Sequence, residues 1–171
     1  MDLKAIPRSN QLMANEPWID LSTLDMEHEA LPMDRVRTQL PQRHEFALLD
    51  RVIVLDREAD LAVGYKDLSA DDWWARGHFP GNPVFPGILM CEGGAHIATL
   101  LWKTFGLLPE DSLIGFGGLE KVRFRRQVVP PGRLFFLAKT GVCKSRMAKL
   151  PVQAVYDGDV VFEATIIGVA L

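Results

Sequence analysis

The residues best suited to chemistry in this 171-residue chain lie within one short stretch. His78 stands at its start and Glu92 at its end. An imidazole can remove a proton near neutral pH, and a carboxyl group in apolar surroundings can hold a proton and donate it. Between them, the N–H groups of Gly87 and Ile88 would open a helix, where free donors and the helix dipole favour developing negative charge. A base, an acid and oxyanion donors together suit proton transfer next to a carbonyl group.

Two contrasting segments must position these groups. Residues 78–87 contain three prolines and two glycines, which predicts a rigid loop without regular structure. Residues 87–102 are almost wholly apolar, interrupted by Glu92 and His96, and Gly106 is well placed to end a helix there. At about 1.5 Å per residue this helix is too short to cross a bilayer core of about 30 Å. We therefore predict a helix that is wrapped on all sides in a soluble protein, without membrane insertion.

Most of the remaining sequence has the character of strands. The predicted strands cover residues 46–55, 61–65, 113–129, 133–143, 146–156 and 160–171. Strict alternation over residues 121–125 predicts that Val122 and Phe124 point inward, and Asp157-Gly158 is typical of a type I′ hairpin turn. One buried helix with about six strands predicts an α+β fold in which an antiparallel sheet curls around the helix.

The N-terminal part has a different character. Residues 1–33 lack a clear hydrophobic period and include three prolines, so we interpret them as an extension before a domain at 34–171. Asp34 is predicted to cap a short helix. The acidic residues of the extension argue against a transit peptide, and no apolar stretch suggests a signal peptide. Two cysteines are too few for a disulfide framework, which favours a cytoplasmic location.

Each candidate also has a purely structural explanation. Glu92 could be a paired helix residue, and a histidine at the start of a loop is often structural. His96 lies one turn after Glu92, but no HExxH motif or other cluster has the spacing of metal ligands, so we expect no metal. Motifs for phosphate or nucleic-acid binding are also lacking. Four nearby aromatic residues are most simply core residues: Trp73, Trp74, Phe79 and Phe85.

Charge is distributed unevenly along the chain, whose net charge is −3. Residues 121–149 contain nine basic residues and no acidic one. Such a stretch could attract an acidic partner, or it could be the solvated face of strands. The pattern by itself does not identify the partner.

Three blocks of the sequence resemble the 3-hydroxyacyl-acyl-carrier-protein dehydratases of type II fatty-acid synthesis. Residues 78–92, HFPGNPVFPGILMCE, resemble the family's active-site signature H-F-P-G-x-P-x-x-P-G-[VI]-L-x-x-E. Residues 40–52, LPQRHEFALLDRV, resemble its L-P-x-R-x-x-F-x-L-x-D-R-V block, and residues 121–130, KVRFRRQVVP, resemble its strand after the helix. The similarity covers roughly residues 34–171.

The resemblance implies a hot-dog fold and the dehydration of (3R)-3-hydroxyacyl thioesters to trans-2-enoyl thioesters, without cofactor or metal. By this resemblance His78 removes the C2 proton, and Glu92, kept protonated by its apolar helix, helps the 3-hydroxyl group to leave as water. The Gly87 N–H polarises the thioester carbonyl. The family forms homodimers, often as a trimer of dimers in a hexamer, in which His78 and Glu92 of one site come from different chains.

The partner implied by the resemblance is an acyl carrier protein with a phosphopantetheine-linked acyl group. Because carrier proteins are acidic, we expect the basic stretch to dock this partner. The residues expected to do so are Lys121, Arg125 and Arg126.

The chain departs from the family pattern around Glu92, the expected acid. Glu rather than Asp at position 92 favours simple dehydration over isomerisation. The family usually has Glu-Ala-x-Ala-Gln here, whereas this chain has two glycines, which would permit close approach of another element, and ends the motif in His96. Gln42 replaces the usual His in the first block. Apolar neighbours predict that Glu92 resists ionisation and that His96 is neutral.

Three alternatives to this function stay open on the sequence. A hot-dog thioesterase and an enoyl-CoA hydratase would act on coenzyme A thioesters. A non-catalytic acyl-binding homologue would keep the fold without turnover, although a binding protein needs neither His78 nor Glu92.

Overall fold

The computed structural model describes residues 16–171 and confirms an α+β architecture. Its elements are α1 (Met33–Gln39), β1 (Arg51–Asp56), β2 (Leu61–Leu68), α2 (Gly87–Lys103), β3 (Ile114–Phe124), β4 (Gly132–Ala138), β5 (Val142–Cys143), β6 (Met147–Tyr156) and β7 (Asp159–Ala170). The sheet is antiparallel, in the order β1-β2-β4-β6-β7-β3, and the two-residue β5 pairs with β6. It has seven strands instead of about six because the segment predicted at 133–143 divides into β4 and β5.

Helix α2 lies in the curve of this sheet and packs against β2, β4, β6 and β7. Its core-facing residues are completely shielded from solvent, among them Ile97, Leu100, Leu101 and Trp102. The prediction that the helix is wrapped on all sides is wrong for one stripe, which the sheet leaves partly open. Residues at i, i+4, i+7 and i+11 share one face of a helix, and here they are Ile88, Glu92, Ala95 and Thr99.

No helix among residues 16–171 is long and apolar enough to cross a membrane.

Strand β3 is irregular where the sequence alternates most regularly. Lys121 adopts a positive φ of 54°, and the pairing with β7 shifts between Glu120 and Arg123. A bulge of this kind changes which face the following residues point to. Phe124, predicted to point inward, is therefore half exposed and stacks on Phe162, whereas Val122 packs against the core as predicted.

The boundaries of several other elements differ from the predicted ones. Helix α1 begins at Met33 after Pro32 and has no side-chain cap, so the prediction of Asp34 as its N-cap is wrong. Strand β1 begins at Arg51 because residues 44–46 form a 3-10 turn. The type I′ hairpin turn is confirmed, since Asp157 and Gly158 both have positive φ.

The segment before α1 lies on the sheet face opposite to α2. The side chain of Gln153, which is fully buried, accepts a hydrogen bond from the Trp18 backbone N–H and donates one to the Glu16 carbonyl. Leu31 forms an isolated bridge with Val52. Apolar residues of this segment pack against a second cluster on the sheet: Trp18, Ile19, Leu21, Leu24 and Met26. The predicted division at residue 34 stays a prediction, and residues 1–15 of the predicted extension lie outside the described residues.

Helix α2 approaches the sheet most closely at its two consecutive glycines. A Cβ atom at Gly93 would lie 2.3 Å from Cζ of Phe136, a ring with no exposed surface. At Gly94 the nearest atom would be Cγ2 of Val152 at 3.2 Å. The prediction that these glycines permit close approach of another element is confirmed, and Gly93 is the stricter of the two.

We predict that Gly93→Ala lowers the free energy of unfolding by about 1–3 kcal/mol, because overpacking against Phe136 outweighs the better helix propensity of alanine. Gly94→Ala is the matched control, and we expect it to be nearly neutral because Val152 can yield by a few tenths of an ångström. Urea denaturation of the three proteins measures both effects. Equal losses in the two variants would show that the Gly93–Phe136 contact does not set the helix position.

Candidate active site

The loop that carries His78 is fixed by backbone hydrogen bonds and by aromatic anchors. The His78 N–H donates to the Trp74 carbonyl at 2.9 Å, and the Phe85 N–H donates to the Val128 carbonyl at 2.8 Å. Trp74 and Phe85 are buried and meet edge to face at 5.2 Å. The core interpretation is therefore correct for these two rings, whereas Trp73 and Phe79 are half exposed.

Val84 sets the orientation of the His78 ring. The ring Nδ1 lies 2.7 Å from the Val84 carbonyl oxygen, and the Val84 N–H donates back to the His78 carbonyl. Because a carbonyl oxygen can only accept, Nδ1 carries the hydrogen, and Nε2 of the neutral ring keeps its lone pair. The Phe79 ring stacks on the imidazole at 4.2 Å. His78 is thus a half-buried imidazole whose Nε2 is oriented to accept a proton.

Glu92 lies on the open stripe of α2, with 24% of its side chain exposed. Its Oε1 is 3.1 Å from Nε2 of His96, one turn further along, whose side chain is buried. The residues around Glu92 on the helix are apolar, but its carboxyl group is hydrogen-bonded to the His96 imidazole.

The expectation that apolar surroundings keep Glu92 protonated is wrong for the single chain. The hydrogen bond from His96 lowers the pKa of the Glu92 carboxyl below its ordinary value, and the opposing effect of burial is smaller. Electrostatic attraction to His96 and the nearby Gln42 side chain lower that pKa further. His96 therefore holds the carboxylate by a hydrogen bond, and sequence analysis had noted this residue only as a departure from a pattern.

Gly87 is the first residue of α2, and its N–H has no backbone acceptor outside the helix within residues 16–171. This is the free donor expected of a first helical turn. A Cβ atom at Gly87 would lie 2.9 Å from the Phe124 ring, so glycine allows that ring to cover the start of the helix. Sequence analysis did not predict that Phe124 lies at the start of α2, because the bulge in β3 turns this side chain outward.

A cavity of about 190 Å³ lies between α1 and His96, the hydrogen-bond partner of Glu92. Gln42 and His96 both line it, and Oε1 of Gln42 is buried without a hydrogen-bond partner in the described residues. The other lining residues are mainly apolar, with two charged side chains: Met33, Val36, Arg37, Leu40, Ala47, Leu48, Leu49 and Asp50.

The three predicted docking residues have different surroundings. Arg125 pairs with Glu163 at 2.5 Å, and the Glu163 side chain is only 4% exposed. Arg126 pairs with Asp159, and both side chains are exposed. Lys121 is exposed and forms no salt bridge with another described residue. Arg125 therefore neutralises a buried carboxylate, whereas the charge of Lys121 is free to meet a partner.

The structure brings some candidate residues together and separates others. Gly87 and Glu92 share helix α2, His96 is hydrogen-bonded to Glu92, and Gln42 and His96 line the same cavity. No hydrogen bond joins His78 to Glu92 within residues 16–171, and each has its own partners. Among the same residues, no three His, Cys, Asp or Glu side chains are grouped to hold a metal ion.

Comparison with known proteins places this site in a family. Residues 40–165, which include both His78 and Glu92, match the FabA-like domain. The chain belongs to the FabA-like family. Within it, the chain is 41% identical over 133 residues to the 3-hydroxyacyl-[acyl-carrier-protein] dehydratase FabZ of Teredinibacter turnerae, covering 77% of this chain and 90% of that protein. FabZ of Saccharophagus degradans is 39% identical over 134 residues, covering 77% of this chain and 92% of that protein.

Several solved structures share the fold at low sequence identity. The dehydratase heterocomplex ApeI:P of Xenorhabdus doucetiae matches with a TM-score of 0.67 at 18% identity, over 82% of this chain and 91% of that one. A mutant of the phenylacetic acid degradation protein PaaI from Thermus thermophilus matches with a TM-score of 0.55 at 20% identity, over 73% of this chain and 96% of that one. These matches and the sheet curved around α2 confirm the predicted hot-dog fold.

Proposed function

We propose that this chain dehydrates (3R)-3-hydroxyacyl thioesters of acyl carrier protein to trans-2-enoyl thioesters in fatty-acid or related lipid synthesis. The observation that carries the proposal is the identity of about 40% to two FabZ dehydratases over nine-tenths of their length. The site supports it chemically, since it offers an oriented imidazole base, a carboxyl group and a helix N-terminus. The proposed catalytic unit is residues 34–171, with residues 1–33 as an extension, and the proposed location is the cytoplasm.

In the proposed reaction, Nε2 of His78 takes the proton from C2 of the substrate. The N–H of Gly87 donates to the thioester oxygen, which gains negative charge as that proton leaves. Glu92 gives a proton to the 3-hydroxyl group, the C3–O bond breaks, and the C2–C3 double bond forms as water departs. No cofactor or metal is needed, because the proton removed and the proton donated balance with the loss of one water.

We further propose that each site is shared between two copies of the chain in a homodimer. Strand β3 is an edge of the sheet in the single chain, and exposed apolar residues lie close to the candidate site: Phe79, Ile88 and Phe124. A long unpaired edge beside apolar side chains is suited to pairing with another chain. A second copy that covers the open stripe of α2 would also remove water from Glu92, and this desolvation raises the pKa of a carboxyl group towards the protonated form that the reaction requires.

The acidic carrier protein is proposed to dock on Lys121, Arg125 and Arg126. Lys121 and Arg126 support this because their side chains are exposed. Arg125 also neutralises Glu163, so reversing its charge would disturb the fold as well as the docking surface.

Product analysis tests the reaction. We expect the purified chain to convert a (3R)-3-hydroxyacyl carrier-protein thioester into the enoyl thioester, faster than the coenzyme A thioester. His78→Ala and Glu92→Gln should each reduce turnover by roughly 10²–10⁴-fold, the usual contribution of a general base or acid. His28→Ala and Glu58→Gln change exposed residues of the same types and should retain full activity.

Other products would contradict this proposal. Release of a free acid would identify a thioesterase, and preference for coenzyme A would identify a hydratase of the degradative type. Binding without turnover, in a folded protein, would identify an acyl-binding homologue.

Charge reversal tests the docking surface. We predict that Lys121→Glu raises KM for carrier-bound substrate and weakens its dependence on salt, with little effect on a small thioester mimic, because the lost interaction is electrostatic. Arg125→Glu should instead lower the melting temperature, because Glu163 is left beside a second carboxylate. Equal effects of Lys121→Glu on both substrates would show that this residue does not dock the carrier.

A further inference from the structure

The two oxygens of the Glu92 carboxyl group have different surroundings. Oε1 lies 3.1 Å from Nε2 of His96, one turn further along α2. Oε2 forms no hydrogen bond with another residue in the range 16–171, and the side chain is 24% exposed on the open stripe of the helix. One oxygen is therefore held by the protein, and the other remains available on the open stripe.

His96 is held more firmly than the carboxyl group that it meets. Its side chain is only 3% exposed, and its helix neighbours Ile97 and Leu100 have no exposed surface. The helix is also fixed against the sheet here, because Gly93 brings its backbone into close contact with the Phe136 ring. A glutamate side chain has many rotamers when it is free, so a hydrogen bond from this fixed ring restricts it to few of them.

The acid form of Glu92 decides which atoms carry hydrogen. The proposed reaction requires a protonated carboxyl group, and the oxygen without hydrogen can only accept. If Oε1 is that acceptor, Nε2 of His96 donates, the neutral ring leaves Nδ1 without hydrogen, and the acidic proton is on Oε2. The opposite assignment would direct the acidic proton at the imidazole and away from a substrate on the open stripe.

We propose that His96 is a positioning residue that distinguishes the two oxygens of Glu92: its Nε2–H holds Oε1, and Oε2 donates the proton to the 3-hydroxyl group. The inference rests on the proposed function, because it names the atom that performs one step of that reaction. His96 acts through Glu92 and does not touch the substrate. Loss of its N–H should therefore slow the chemical step more than it weakens substrate binding.

Other ionisable groups around this pair do not supply the same hydrogen bond. On α2 the Cys91 thiol is buried, and burial raises its pKa. Arg37 of α1 and Asp50, just before β1, line the cavity beside the imidazole and carry opposite charges. In the proposed dimer, His78 of the partner subunit would also face the carboxyl group. The strands behind the two glycines of the helix present apolar side chains to it: Phe136, Val152 and Phe162.

Two substitutions of His96 separate the N–H donor from the rest of the ring. His96→Leu removes the donor and keeps an apolar side chain in the buried position. His96→Gln keeps an N–H donor, since its amide nitrogen is the same number of bonds from Cβ as Nε2 of histidine. We expect kcat to fall roughly tenfold or more in His96→Leu, with KM within about twofold, and His96→Gln to stay within about threefold of the original kcat.

His28→Leu is the matched control, because it makes the same change at an exposed histidine and should leave both constants unchanged. An unchanged kcat in His96→Leu would overturn the inference. A kcat in His96→Gln as low as that in His96→Leu would also overturn it, because the donor would then not be the group that matters.

The pH profile provides a readout that a purely structural role would not move. The hydrogen bond from His96 favours the charged form of Glu92, so its loss in His96→Leu should raise the pKa of that carboxyl group. Because Glu92 must be protonated to act, the alkaline limb of the kcat/KM profile should move to higher pH in His96→Leu and move less in His96→Gln. A lower rate in His96→Leu with an unmoved limb would indicate general disturbance of the fold and would refute the assigned role.

NMR without turnover separates this inference from the proposed function. Nitrogen-15 shifts of the His96 ring in the original chain should show hydrogen on Nε2 and none on Nδ1, and this measurement needs no variant to fold. Carbon-13 titration of Glu92 should show a higher midpoint in His96→Leu than in the original chain. If both results are found in a chain without dehydratase activity, the proposed function fails and the hydrogen-bonded arrangement stands. A dehydratase with hydrogen on Nδ1 instead of Nε2, or with an unmoved midpoint, would refute the inference and leave the proposed function intact.

Discussion

The structure depends on one constraint, which is that a carboxyl group must lie on a helix that the sheet almost completely encloses. Burying an unpaired carboxylate is strongly unfavourable, so Glu92 can be accommodated only on the stripe of α2 that the sheet leaves open. The close contact between Gly93 and Phe136 shows how tightly the sheet encloses another face of this helix. The same stripe leaves the single chain with an exposed apolar border that is suited to a second copy.

Local hydrogen bonds, not the apolar setting, control the ionisation of the acid in the single chain. Desolvation does raise the pKa of Glu92, but the hydrogen bond from His96 acts in the opposite direction and prevails. A buried imidazole one turn away is a closer and better oriented neighbour than the apolar side chains that flank Glu92 in sequence. Covering the stripe would shift this balance towards desolvation, which links the acidity of Glu92 to the proposed assembly.

Much of the fold could be predicted because its signals are local. The apolar run before Gly106 predicted both ends of α2 to within one residue. The Asp157-Gly158 pair correctly predicted the hairpin turn between β6 and β7. The bulge at Lys121 was not predictable, because strict alternation gives no sign that a pairing register will shift. The contact of Gln153 with the segment before α1 joins residues far apart in sequence, and no periodic pattern reports such a contact.

The candidate site was predictable to a similar extent. Spacing and residue types indicated His78, Gly87 and Glu92, but not the contacts that orient these residues. The Val84 carbonyl that orients His78 is a backbone group, and any residue could supply it. Gln42 was visible as a departure from a pattern, yet only the fold shows that this departure and the one at His96 line the same cavity.

The central claim is that Glu92 of one chain completes its site with His78 of another. The most direct measurement mixes inactive His78→Ala chains with inactive Glu92→Gln chains and allows subunits to exchange. Each mixed dimer would contain one site with both residues intact, so an equal mixture should recover about one quarter of the original activity if the dimer is two-fold symmetric. Mixed dimers that are detected by mass spectrometry but remain inactive would contradict the account.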